Sequence, residues 1–130
     1  MKKKKKERLI LSVAEMVATY FDIDPIIGLT VSDLGDEAQA YCNEIDPYVF
    51  ELEFDKKFLK TASDEDIIRA TAHEMVHVKQ YINDGLTLEV GKPYKFKGKK
   101  YEGDYWFSPW EIEARGHEEA FLQYFLHWRV

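Results

Sequence analysis

The sequence contains a single cysteine, Cys42, so it cannot form an internal disulfide, and this fits a reducing compartment. It also lacks any apolar run that approaches the roughly 20 residues needed by a membrane-spanning helix. Acidic residues outnumber basic ones, and the formal net charge of -6 argues against the broad positive surface of non-specific nucleic-acid binding. We therefore predict a cytoplasmic protein with no membrane partner, and we do not expect nucleic acid as a partner.

The composition is that of a folded chain, with 45% hydrophobic and 15% aromatic residues. A length of 130 residues suits one domain with one core. The exception is the basic run Lys2–Lys6, which a solvated, disordered tail explains, with a nucleic-acid or membrane contact as the alternative. We therefore predict a disordered basic tail over residues 1–6 and a single domain over residues 7–130.

Apolar residues recur at steps of three and four over residues 7–21, which predicts a first amphipathic helix. Three candidate strands follow at residues 26–31, 38–45 and 48–55. In the last of these, apolar residues alternate with acidic ones, as in a strand with one buried face. Turn-forming residues separate the strands, so we expect a small, mostly antiparallel sheet.

Ser63 can cap the helix that starts at Asp64, and Asn83-Asp84-Gly85 ends it. Residues 86–109 form a loop-rich insert with a possible hairpin around Gly98. A final helix begins near Pro109 and runs towards Trp128. The order of elements predicts an α+β fold in which two long helices follow the sheet.

The first of these helices contains His73-Glu74-Met75-Val76-His77. Two histidines four residues apart lie on one face of a helix, which is the geometry that two zinc ligands need. Glu74 is placed to reach a metal-bound water without being a ligand. The alternative interpretation is a pair of partly exposed helix histidines around an ordinary glutamate.

Catalytic zinc usually takes three protein ligands and leaves one position for water. The segment Trp110-Glu111-Ile112-Glu113-Ala114 opens the final helix and offers two carboxylates. Because Glu111 and Glu113 point about 200° apart around a helix, only one of them can face the metal. The residues alone leave both glutamates open.

The pairing of HExxH with Pro109-Trp110-Glu111-Ile112-Glu113-Ala114 resembles the gluzincin-type zinc metallopeptidases. The resemblance implies a zincin-like α+β fold whose C-terminal helix carries the third ligand. It implies a Zn2+ ion held by His73, His77 and Glu111, with Glu113 in reserve, and peptide hydrolysis with Glu74 as general base and acid. Arg115 stands where related families often place an Asp or Asn that supports a ligand histidine, so that partner stays unassigned.

Further expectations concern the rest of the site. Tyr105 is our candidate donor to the developing oxyanion, with simple packing as its alternative role. Because zincins commonly bind extended substrate along an edge strand, Tyr48–Asp55 is the candidate strand. Two other functions stay open: a non-catalytic zinc module that binds a partner, and an SprT-like, DNA-associated metalloprotease with His117 as third ligand. For His117 we otherwise expect either packing beside the apolar stripe of the final helix or a supporting contact to a metal ligand.

Overall fold

The computed structural model describes residues 2–89 and 91–128 of the chain. The parts of the predicted tail and domain that fall on residues 1, 90, 129 and 130 lie outside the described residues. The described part is an α+β fold with four helices and a small mixed sheet, and its elements are α1 (Lys2–Tyr20), β1 (Ile26–Ser32), β2 (Ala40–Asp46), β3 (Val49–Asp55), α2 (Lys56–Thr61), α3 (Asp64–Asn83), β4 (Tyr94–Phe96), β5 (Lys99–Tyr101), a 3-10 helix (Tyr105–Phe107) and α4 (Pro109–Trp128).

Helix α1 begins at Lys2, so the prediction of a disordered tail was wrong for residues 2–6. Lysine is a good helix former, and here it extends a helix that is already anchored by its apolar face. The Lys6 ammonium group also donates to the carbonyl oxygens of Leu59 and Lys60 at the end of α2. The helix ends at Tyr20, within one residue of the predicted end at residue 21. Asp22 then turns the chain with a left-handed φ of 54°.

The three-stranded sheet has the order β1-β3-β2 and is mixed, so the expectation of a mostly antiparallel sheet was wrong. β2 and β3 form an antiparallel pair, whereas β1 runs parallel to β3 from Ile26↔Val49 to Ser32↔Asp55. Residues 33–39 carry the chain across the end of β3 to reach the start of β2. An alternating pattern shows which residues form strands but not which strand lies in the middle.

β3 is the central strand, which corrects the assignment of Tyr48–Asp55 as a substrate-binding edge. Its backbone groups are already paired on both sides, so no further strand can be added to it. In the described three-stranded sheet, β1 and β2 are the two edge strands, each with a neighbour on one side. The open edge of this sheet beside α3 is therefore β2, which contacts α3 directly.

Helix α3 forms the centre of the molecule and packs against α1, α4 and β2. The predicted cap is confirmed, because the Ser63 hydroxyl accepts the Asp66 backbone N–H at 3.2 Å. Gly85, at φ 65°, lets the chain turn away after Asn83. Burial on most of its faces means that polar side chains in the middle of α3 must find partners inside the protein.

A second, smaller core attaches the insert to the start of α4. Its centre is the fully buried indole of Trp110, which meets four tyrosine and phenylalanine rings edge-on at 5.2–6.0 Å: Tyr94, Phe96, Tyr101 and Tyr105. The predicted hairpin around Gly98 is confirmed as β4 and β5. Within residues 2–89 and 91–128, no helix combines the length and apolar character needed to cross a membrane.

Candidate metal centre

His73 and His77 lie one turn apart on α3, and their ring centroids are 4.9 Å apart. The Glu111 carboxylate, from the first turn of α4, lies between them. One carboxylate oxygen is 3.1 Å from His73 Nε2, and the other is 2.8 Å from His77 Nε2. The three side chains offer ligand atoms that lie within 4.8 Å of one another, so the packing of α3 on α4 brings the predicted ligand set together.

Two imidazole nitrogens and one carboxylate oxygen form a donor set of the type found in catalytic zinc sites. In a tetrahedral site with bonds of about 2.1 Å, neighbouring ligand atoms lie about 3.4 Å apart. The nitrogen-to-oxygen distances of 3.1 and 2.8 Å, each to a different oxygen of the Glu111 carboxylate, are about 0.3 and 0.6 Å shorter than that spacing, so the side chains would move slightly apart around an ion. The donor set therefore fits a small divalent ion, and the same donors also suit other transition metals.

Glu113, the reserve ligand, points elsewhere. Its carboxylate accepts the Gln80 amide N–H at 2.7 Å and lies 3.3 Å from the Lys79 ammonium nitrogen. Cationic and amide donors lower the pKa of Glu113, although burial acts in the opposite direction. The structure thus brings Glu111, and not Glu113, into the histidine pair.

Gln80 orients His77, a role that the sequence analysis missed. Its amide nitrogen donates to the Trp110 carbonyl at 2.9 Å and to Glu113 at 2.7 Å, and both of these oxygens can only accept. The Gln80 amide oxygen, 2.8 Å from His77 Nδ1, must therefore accept the proton of that nitrogen. Nδ1 of His77 is thereby held protonated, which directs Nε2 towards the ligand cluster.

Glu118 performs the same task for His73. Its carboxylate lies 2.7 Å from His73 Nδ1, so it accepts that N–H and directs Nε2 towards Glu111. Glu118 is the partner that the resemblance left unassigned, and it follows Glu111 by two helical turns. A search of α4 for a carboxylate on the same face as Glu111 would have found it.

The ligand cluster is strongly charged without a metal. Burial lowers the pKa of His73, but hydrogen bonds to Glu111 and Glu118 outweigh it and raise the value to about 10. Burial acts to raise the pKa of Glu111, yet the two histidines hold it well below its ordinary value. Glu111 is therefore ionised, as a ligand must be, whereas metal binding would require His73 to release a proton.

Glu74 lies at the floor of a cleft beside the cluster and is 8% exposed. Burial raises its pKa to about 7, the two neighbouring histidines act to lower it, and Glu111 and Glu118 add to the rise. A carboxyl group with a pKa near neutrality can both accept and return a proton. This is the behaviour expected of a general base and acid.

The cleft is lined by side chains of β2, α3, the 3-10 helix and α4, among them Tyr41, His73, Tyr105 and Glu118. Tyr105 thus lies in the predicted region, and burial, together with the Glu111 carboxylate, raises the pKa of its hydroxyl. The hydroxyl stays protonated and can donate a hydrogen bond over the whole physiological range.

His117 lies outside the cluster. Its Nδ1 lies 2.8 Å from the Glu113 carbonyl, and its ring stacks on Phe121 with a centroid distance of 5.6 Å. The expectation that His117 packs on the apolar stripe is confirmed. Nothing in this arrangement supports His117 as a third ligand.

A scan against protein-family models and searches of curated proteins and of solved structures find no match to this chain. The resemblance to gluzincins therefore rests on the motif residues alone.

Proposed function

We propose that this protein is a zinc-dependent hydrolase of peptide or amide bonds, with a zincin-like fold and a gluzincin-like site. One observation carries the proposal: His73, His77 and Glu111 converge from two helices onto one point, with the buried carboxyl group of Glu74 beside them. A buried carboxyl group with a raised pKa, lining a cleft beside such a cluster, is typical of a functional site. The choice of zinc among divalent ions is part of the proposal.

Bound zinc would supply Lewis acidity, which activates a water molecule and polarises the scissile carbonyl. The chain itself handles the protons. Glu74 accepts a proton as the water oxygen bonds to the carbonyl carbon, and it delivers that proton to the amine nitrogen as the C–N bond breaks. Tyr105 donates a hydrogen bond to the carbonyl oxygen while negative charge develops there. No side chain needs to form a covalent intermediate.

The open edge of β2 supports an extended peptide as substrate. Ala40, Tyr41 and Cys42 of this strand line the cleft, next to the helix that carries the histidines. A peptide that adds to β2 as a further strand would pass across the ligand cluster, with its main chain recognised by hydrogen bonds. Glu51 and Glu53, two of the acidic residues that alternate with apolar ones in the central strand β3, lie outside the cleft lining and would not contact such a peptide.

The test compares the wild-type protein with Glu74→Gln, both reconstituted with zinc. We expect one zinc per chain in both, because Glu74 is not in the ligand cluster. Hydrolysis of a quenched fluorogenic peptide library should fall by at least about 100-fold in the variant, the typical effect of removing a general base. Glu65→Gln, an exposed glutamate in the first turn of the same helix, is the matched control and should keep full activity.

Two results would count against this function. Equal zinc content with no hydrolysis by either protein would leave a non-catalytic metal module. If the folded wild-type protein bound no zinc, the proposed metal centre itself would be contradicted.

A further inference from the structure

Three consecutive aromatic residues, Tyr105, Trp106 and Phe107, form the 3-10 helix that precedes α4. They are 48%, 60% and 62% exposed, which is a large apolar surface for so short a segment. Tyr105 and Trp106 line the cleft beside the ligand cluster. Contiguous exposed aromatic surface beside a site of this kind marks a place where a ligand is bound.

The 3-10 helix is held firmly in place. Asp104 caps it by accepting the Trp106 backbone N–H at 2.8 Å, and the Tyr101 hydroxyl donates to the Asp104 carbonyl at 2.6 Å. Arg115 of α4 donates to the Trp106 carbonyl at 2.6 Å, and its guanidinium carbon lies 3.9 Å from the centre of the indole ring. Trp106 is therefore exposed but already ordered, so binding to it would lose little conformational entropy.

The contact between Arg115 and Trp106 also explains a residue that the family resemblance could not place. Where related chains often have an Asp or Asn for a histidine, this chain has a cation that lies against an aromatic ring. In this chain, Glu118 accepts the hydrogen bond from His73 Nδ1. Position 115 is thus free to shape the cleft wall.

The cleft lining also includes the ring of Tyr41, which is 38% exposed on the edge strand β2. An extended peptide on this strand would lie in the cleft that Tyr41 lines together with Tyr105 and Trp106. Arg69, a cation of the same cleft, is already paired with Asp66 and Glu119. An acidic substrate residue would have to displace those carboxylates, whereas an apolar one would not.

On the basis of the proposed function, we propose that the wall of Tyr105 and Trp106 selects an aromatic side chain of the peptide substrate. The indole of Trp106 is the main contact, and Arg115 positions it. The substrate class is therefore extended peptides with a Phe, Tyr or Trp residue close to the scissile bond.

The experiment measures peptide binding to zinc-loaded Glu74→Gln protein, which should bind without turnover. End-labelled peptides carry one Phe at successive positions of an Ala and Ser host, and fluorescence anisotropy gives each dissociation constant. We expect the best Phe peptide to bind about tenfold more tightly than the peptide with Ala at that position, since burying one aromatic side chain on another has this effect. Adding Trp106→Ala should remove the preference, and Trp106→Phe should restore part of it.

Phe107→Ala is the matched control, since Phe107 is equally exposed in the same 3-10 helix but does not line the cleft. It should leave the Phe preference unchanged. An equal Phe preference in Trp106→Ala and in its parent would overturn the inference, as would absence of binding by every peptide.

Cleavage of the same peptides by protein with Glu74 intact separates the two proposals. Cleavage without Phe preference contradicts the aromatic wall alone, and binding preference without cleavage contradicts the hydrolase alone.

Discussion

Replacing Gln80 with methionine tests whether the geometry of His77 depends on a residue outside the ligand cluster. Methionine has nearly the same length and volume as glutamine but neither donates nor accepts strongly. The change would remove three short contacts at once: 2.8 Å to His77, 2.9 Å to the Trp110 carbonyl and 2.7 Å to Glu113. The histidine would then be free to rotate or to change tautomer.

The structure allows the size of the effect to be worked out. Loss of a partner that orients a metal-ligating histidine typically lowers metal affinity 10- to 100-fold, equal to about 1.4 to 2.7 kcal/mol. Gln80 is fully buried, so the His77 N–H would lose its partner. The Trp110 carbonyl keeps its backbone hydrogen bond within α4, and Glu113 keeps Lys79. One orphaned buried group costs about 1 to 3 kcal/mol, so we expect the metal-free protein to lose about 1 to 3 kcal/mol of stability.

Competition with a chromophoric chelator gives the zinc dissociation constant, and urea unfolding of the metal-free protein gives the stability. Gln123→Met is the matched control, because Gln123 is exposed on α4 and its amide donates to Glu119, away from the ligand cluster. It should change neither quantity appreciably. If folded Gln80→Met bound zinc within twofold of the wild-type affinity, the argument that Gln80 fixes the His77 tautomer would be refuted.

The ligand assignment, the stability gained from zinc and the cap of α2 can each be tested in the same way. Glu111→Gln should abolish stoichiometric zinc binding, because it removes a ligand. Glu113→Gln should lower zinc affinity by about tenfold or less, because it weakens only the hydrogen bond that supports Gln80. Equal losses of zinc in metal analysis of the two variants would contradict the ligand assignment. Zinc at 1,000 times its dissociation constant should stabilise the protein by about 4 kcal/mol over the chelated form in urea titrations, and an unchanged midpoint would mean that the folded state holds no zinc. Asp55→Ala should lower the free energy of unfolding by about 1 to 3 kcal/mol without changing zinc affinity, because the Asp55 carboxylate accepts the Phe58 and Leu34 backbone N–H groups at 3.0 and 2.9 Å. The control is Asp36→Ala, at an exposed residue. Equal stability of the two variants would contradict the capping role of Asp55.

Most of the local structure could be predicted from the sequence. The spacing of His73 and His77, the Ser63 cap and the turn at Gly85 depend on neighbouring residues, and helix geometry relates such residues directly. The same holds for the hairpin around Gly98 and for the start of α4 near Pro109. The prediction of a disordered tail was wrong because it treated a run of lysines as a sign of disorder. Lysine has a high helix propensity, and the run continues a helix that is anchored by its apolar face.

The relations between elements came only from the tertiary structure. Nothing local distinguishes Glu111 from Glu113, since both lie in the first turns of α4, and only the packing of α4 on α3 directs one to the histidines and the other to Gln80. The central position of β3 and the open edge of β2 likewise depend on how strands pair over a distance. A sequence specifies which side of each element is apolar, but the rotation of one element against another is set by the whole core. That rotation decides which polar groups meet in this site.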